Sequence, residues 1–68
     1  MTYSRWSTTC DIYAYQGVDG EIVLHVNQWG IKTFTFSNMR QAIEKLCQLA
    51  VEGVRFPDDL VKKMERDL

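Results

Sequence analysis

His25, the cysteines Cys10 and Cys47, and the adjacent acids Asp58 and Asp59 are the side chains of this 68-residue chain best suited to catalysis or metal binding. A nucleophile, base and orienting acid would have to come from Cys10, His25 and Asp11, and no local motif ties those three together. No HExxH, CxxC or glycine-rich phosphate loop is present. Cys10, His25 and Cys47 are scattered along the chain, whereas zinc ligands usually arrive in closely spaced pairs. Asp58 and Asp59 follow Pro57, so they read as first-turn residues facing the positive end of a helix dipole, not as a catalytic acid and base. The expectation is a non-enzyme with no cofactor and no metal.

Recognition chemistry is better represented. Residues 10–16, CDIYAYQ, alternate with period two, so Cys10, Ile12 and Ala14 share one face and Asp11, Tyr13 and Tyr15 the other. Residues 21–27, EIVLHVN, do the same, with Ile22, Leu24 and Val26 inward and Glu21, Val23 and His25 outward. If these runs pair, Tyr13, Tyr15, Val23 and His25 lie side by side on an open sheet face. Aromatic side chains on such a face are enriched at interface hot spots. Asp11 and Glu21 add acids to it, and Asp11, Asp19 and Glu21 could gather at one end. Arg5 and Trp6 in the polar lead-in extend the candidate contact surface. That surface could equally be covered by the lead-in itself, through Tyr3 and Trp6, or by a second copy of the chain.

The elements that must hold these residues follow from turn and cap signals. Gly17-Val18-Asp19-Gly20 reads as a hairpin turn. Asn27-Gln28-Trp29-Gly30 reads as the next, leading to a third strand over 31–36, with Phe34 and Phe36 under a helix. Asn38 is a natural N-cap, with Gln41 placed to complete a capping box. Met39, Ala42, Ile43, Leu46, Leu49 and Ala50 form one helical stripe through Val51. Gly53 suits a left-handed helix cap. Pro57 opens a second helix, with Leu60, Val61, Met64 and Leu68 as its apolar stripe. Residues 1–9 read as an irregular N-terminal arm. The predicted fold is α+β: a three-stranded antiparallel meander covered by one long helix, then a short C-terminal helix, in one domain.

Composition narrows the partner. Eight basic and nine acidic residues give a net charge of −1. Duplex DNA binders draw much of their affinity from a basic excess, so nucleic acid is the less favoured partner. The basic cluster Lys62, Lys63 and Arg66 is diluted by Glu65 and Asp67. No apolar run is long enough to span a membrane, and MTYSRWSTT lacks the apolar centre of a signal peptide. The expected location is the cytoplasm, where Cys10 and Cys47 are expected to be reduced, buried small residues.

Two resemblances bear on function. The segment FSNMRQAIEKL resembles the pattern after the last strand of AP2-like and phage-integrase arm-binding domains. Phe36 matches its aromatic, Asn38 its cap, Gln41 its acidic position and Ala42 its small packing residue. Those domains lay a sheet in the DNA major groove, which implies basic side chains on the exposed strand face. Here the strands carry only Lys32, against Asp11 and Glu21. The opening Tyr3, Ser4, Arg5, Trp6 and Ser7, with the small motif-free architecture, is similar to small accessory proteins of phages and prophages, the anti-CRISPR proteins among them. That resemblance implies an inhibitor that binds a host or phage protein complex, such as a host defence complex, by surface contact inside the host cell. It assigns no functional residues. A small DNA-associated regulator and a structural homodimer are the alternatives.

Overall fold

The computed structural model describes residues Met1–Leu68. In chain order it contains β1 (Thr2–Ser4), β2 (Ile12–Gln16), β3 (Ile22–Asn27), β4 (Ile31–Phe36), α1 (Met39–Val51) and α2 (Asp58–Glu65). The four strands form one antiparallel sheet in the order β1-β2-β3-β4. The α+β class and the β2-β3-β4 meander agree with the sequence. The sheet, however, has four strands where three were expected.

The added strand corrects the reading of residues 1–9 as an irregular arm. Thr2 pairs with Tyr15 and Ser4 with Ala14, with a register shift between them. Ser4 mends the ladder at that irregularity. Its hydroxyl donates to the Ile12 carbonyl at 2.7 Å and accepts from the Ala14 amide at 3.2 Å. Tyr3 is buried against the core, and its hydroxyl donates to Asp67 Oδ2 at 2.7 Å. Tyr3 therefore does not lie over the open sheet face.

Period-two alternation places Ile12, Ala14, Ile22, Leu24 and Val26 on the helix-covered face, where all are buried. Met39, Ala42, Leu46 and Leu49 of α1 and Leu60 and Met64 of α2 complete that core. Phe34, Phe36, Ile43 and Val61 pack against it while partly exposed. Three expected contributors stand outside it. Ala50 and Cys47 are exposed on α1, and Leu68 is exposed beyond α2. Cys10 is buried and its thiol donates to the Ile12 carbonyl at 3.2 Å, while both cysteines are free.

Both ends of α1 are sealed. The Gln41 amide donates to Asn38 Oδ1 at 2.9 Å. At the other end Gly53 has φ 96°, the Gly53 amide donates to the Ala50 carbonyl at 3.1 Å and the Val54 amide to the Leu49 carbonyl at 3.0 Å. This is the Schellman arrangement, with buried Val54 and Leu49 supplying its apolar contact. Pro57 stands as the N-cap of α2, with Asp58 and Asp59 in the first turn as expected. No helix is long and apolar enough to cross a membrane.

Candidate functional site

The face of the sheet away from the helices carries the candidate site. Strand register places Tyr13 opposite His25 and Tyr15 opposite Val23 on β2 and β3, and His25 opposite Thr33 on β4. Side chains of directly opposed and diagonal residues touch across strands. Tyr13 meets Tyr15 edge-on, with centroids 5.5 Å apart and planes at 88°. Tyr15 and His25, diagonal neighbours, stack at 5.5 Å and 28°. Tyr13 also meets His25 edge-on at 6.1 Å.

Trp6 joins this cluster from outside the strands. A tight segment, closed by Ser7 and Cys10 bonding each other's backbone at 2.9 and 3.3 Å, links β1 to β2. It brings the indole edge-on to Tyr13 at 5.9 Å. The indole Nε1 donates to the His25 carbonyl at 3.2 Å. Trp6 remains 42% exposed while packed on Tyr13 and bonded to the backbone of His25. Trp6, Tyr13, Tyr15 and His25 together line one open cleft.

A hydrogen-bonded chain that runs through two of these rings crosses three strands. Tyr15 Oη lies 3.1 Å from His25 Nε2, and His25 Nδ1 lies 2.9 Å from Thr33 Oγ1. In a neutral imidazole one ring nitrogen donates and the other accepts, so the chain has a direction. Both nitrogens are held, which fixes the ring. A hydroxyl beside an oriented imidazole is half of a nucleophilic constellation. The other half, donors converging on a developing oxyanion in a water-excluded cavity, has no counterpart on this open face. The geometry is that of a rigid aromatic platform.

The remaining sequence candidates lie elsewhere or present little surface. Val23 is on this face but 8% exposed, and it belongs to no part of the helix-side core. Asp11 is engaged by the connector between α1 and α2. Arg55 Nε and Nη2 reach its two oxygens at 3.4 Å each, and the Arg55 amide reaches Oδ2 at 3.3 Å. These bonds from Arg55 hold the Asp11 carboxyl below the usual carboxylate range, outweighing the opposing effect of desolvation. Glu21 sits at the β2–β3 turn, where its carbonyl accepts from the Gly17 amide at 2.8 Å. Asp11 and the Asp19–Glu21 pair therefore occupy opposite ends of the hairpin and do not gather into one acidic patch. Comparison with protein-family models, with curated proteins and with solved structures finds no match.

Two features of the cluster carry no signal in the sequence. The role of Thr33 has none, although the expected strand lengths and turn place it across from His25. The neighbour of Trp6 has none either, because nothing in the spacing of Trp6 tells which ring it meets. Lys32, the one basic strand residue, pairs with Val26 and so belongs to the helix side of the sheet. The strand positions of the open face are left without lysine or arginine.

Proposed function

We propose that this chain is a non-enzymatic protein-interaction module whose contact surface is the open sheet face centred on Trp6, Tyr13, Tyr15 and His25. The observation that carries this reading is the cluster itself. Four rings from the β1–β2 segment, β2 and β3 line one open cleft, and three of them are tied by hydrogen bonds to the chain. Preformed aromatic surface binds with little loss of side-chain freedom, which is why tyrosine and tryptophan dominate many contact surfaces. Absence of basic strand residues on this face argues for a protein partner over duplex DNA.

The class of partner rests on the resemblance to small phage and prophage accessory proteins, which points to inhibition of a host defence complex. Within the segment that carries it, Tyr3 and Ser4 are already accounted for by core packing and the β1–β2 ladder. Arg5, Trp6 and Ser7 are its exposed part.

The test compares tagged wild type with the Tyr13→Ala/Tyr15→Ala variant in affinity capture from bacterial lysate, followed by titration of the purified partner. Loss of the same partner by the variant, with its circular dichroism unchanged, is the expected result. Equal recovery by both proteins removes the face as the interface. A parallel titration with duplex DNA at low salt is expected to be flat. Binding that weakens with added salt would instead support a DNA-associated regulator.

A further inference from the structure

The sheet has two edges, and they are built differently. β1 is three residues long, has an irregular register and relies on a serine side chain to complete its ladder. Short and distorted edge strands resist pairing with other chains. β4 has six residues in unbroken register with β3, and it contains no proline, glycine or acid. Its one charge, Lys32, lies on the helix side.

The hydrogen-bond register shows which β4 groups are free. The Asn27 amide donates to Asp11 and the Gly17 amide to Glu21, so the odd-numbered positions of β3 bond toward β2. Antiparallel strands alternate, so Ile22, Leu24 and Val26 bond toward β4, to Phe36, Phe34 and Lys32. Ile31, Thr33 and Thr35 therefore direct their amides and carbonyls to the open edge. Just before them Trp29 is 94% exposed with φ 58°, and Ile31 is 61% exposed. A tryptophan held in the left-handed region stores backbone strain.

The geometry points to β4 as the seam of a homodimer, in which the β4 edges of two copies pair antiparallel about a two-fold axis at Thr33. Each four-stranded sheet then continues into the other. With Thr33 facing its own copy, Ile31 lies opposite Thr35 of the second copy, and the three free residues of each edge satisfy one another. Trp29 reaches the level of Ser37 of the second copy, just before α1, where its exposed ring gains a surface to cover. Lys32 falls opposite Phe34 and not opposite itself, on the face where the Lys45 ammonium of each copy lies 4.4 Å from the Phe34 ring centroid. The groove flanking β4 is lined by Phe36, Gln41, Glu44, Lys45 and Gln48, so the neighbouring helix presents one acid and one base from each copy. The strand thus supplies its own complement on both faces, threonine and isoleucine on one, phenylalanine and lysine on the other. The axis stands perpendicular to the sheet, so both aromatic clusters share one side of the dimer. The pairing does not depend on the role of that cluster.

Sedimentation equilibrium across a wide dilution series tests this. Wild type is expected at twice 7.9 kDa when concentrated, falling toward 7.9 kDa on dilution. Thr35→Pro deletes a free-edge amide without touching the β3–β4 ladder, and proline is tolerated on edge strands. It is expected to keep the wild-type circular dichroism and to stay at the single-copy mass. Trp29→Gly is expected to raise the dissociation constant by about tenfold or more. Wild type at 7.9 kDa throughout overturns the proposal, as does a dimer that survives Thr35→Pro or is lost in Tyr13→Ala/Tyr15→Ala. Should Thr35→Pro fail to fold, amide exchange in wild type decides. Slower exchange of Ile31, Thr33 and Thr35 at high than at low concentration supports the seam, and concentration-independent fast exchange rejects it.

Discussion

Trp29 pairs a fully solvated indole with φ 58°, and within one copy no packing offsets that conformation. A residue with a Cβ in the left-handed region costs about 1–2 kcal/mol. Glycine would release that strain but adds roughly 0.5–1 kcal/mol of unfolded-chain entropy. Under dilute conditions, Trp29→Gly is therefore expected to raise the urea unfolding free energy by about 0.5–1 kcal/mol. An unchanged or lower value would mean that the indole makes a stabilising contact within the single copy. At this same scale the sequence is informative wherever alternation alone decides. Tyr13, Tyr15 and His25 share a face because strand side chains alternate, and no long-range knowledge is needed. Trp6 needs the closure of the Ser7–Cys10 segment before its neighbour is defined. The burial of Val23 and the engagement of Asp11 by Arg55 likewise depend on partners distant in sequence.

The elements form in proportion to how strongly their ends are marked. Helix α1 has a side-chain cap at Asn38 and a positive-φ glycine at Gly53, both visible in the sequence and both realised. Asn38→Ala is expected to cost about 1 kcal/mol by leaving the Gln41 amide without its acceptor. Gly53→Ala is expected to cost about 1 kcal/mol by forcing a Cβ into the left-handed region. The sites stand at opposite ends of the helix with no shared partner, so the double variant should lose the sum in urea unfolding. A double variant no worse than either single would show that the ends fray together. Strand β1 was illegible for the opposite reason. Three residues carry no usable period, and its pairing depends on a register shift mended by Ser4. Propensity reads neither feature, so the sheet gained a strand that the pattern did not announce.

Across the whole molecule, two polar contacts tie distant parts of the chain, and they act at opposite ends of the pH scale. Asp11 joins the start of β2 to the connector at Arg55. Its carboxyl is held below the ordinary value of 3.8, so its contribution is present above that pH and lost as acid protonates the folded form. Asp11→Asn is expected to flatten the acid limb of a thermal-midpoint profile below about pH 4, leaving the alkaline limb unchanged. Tyr3 joins β1 to Asp67, beyond α2. Burial, then the hydrogen bond and charge of Asp67, raise its hydroxyl from 10.0 to about 12. A raised value in the folded state means that the stabilisation is complete below pH 10 and falls as pH rises through 10 toward 12. Wild type is therefore expected to lose stability over this alkaline window. Tyr3→Phe gives up the hydrogen bond to an exposed carboxylate, at a cost of about 1 kcal/mol at neutral pH. In return it has no proton to release. Its urea midpoint should start below wild type at pH 7 and decline less steeply above pH 10, so that the two curves converge or cross. Parallel curves would place the alkaline weakness outside the contact that holds β1 to the end of the chain.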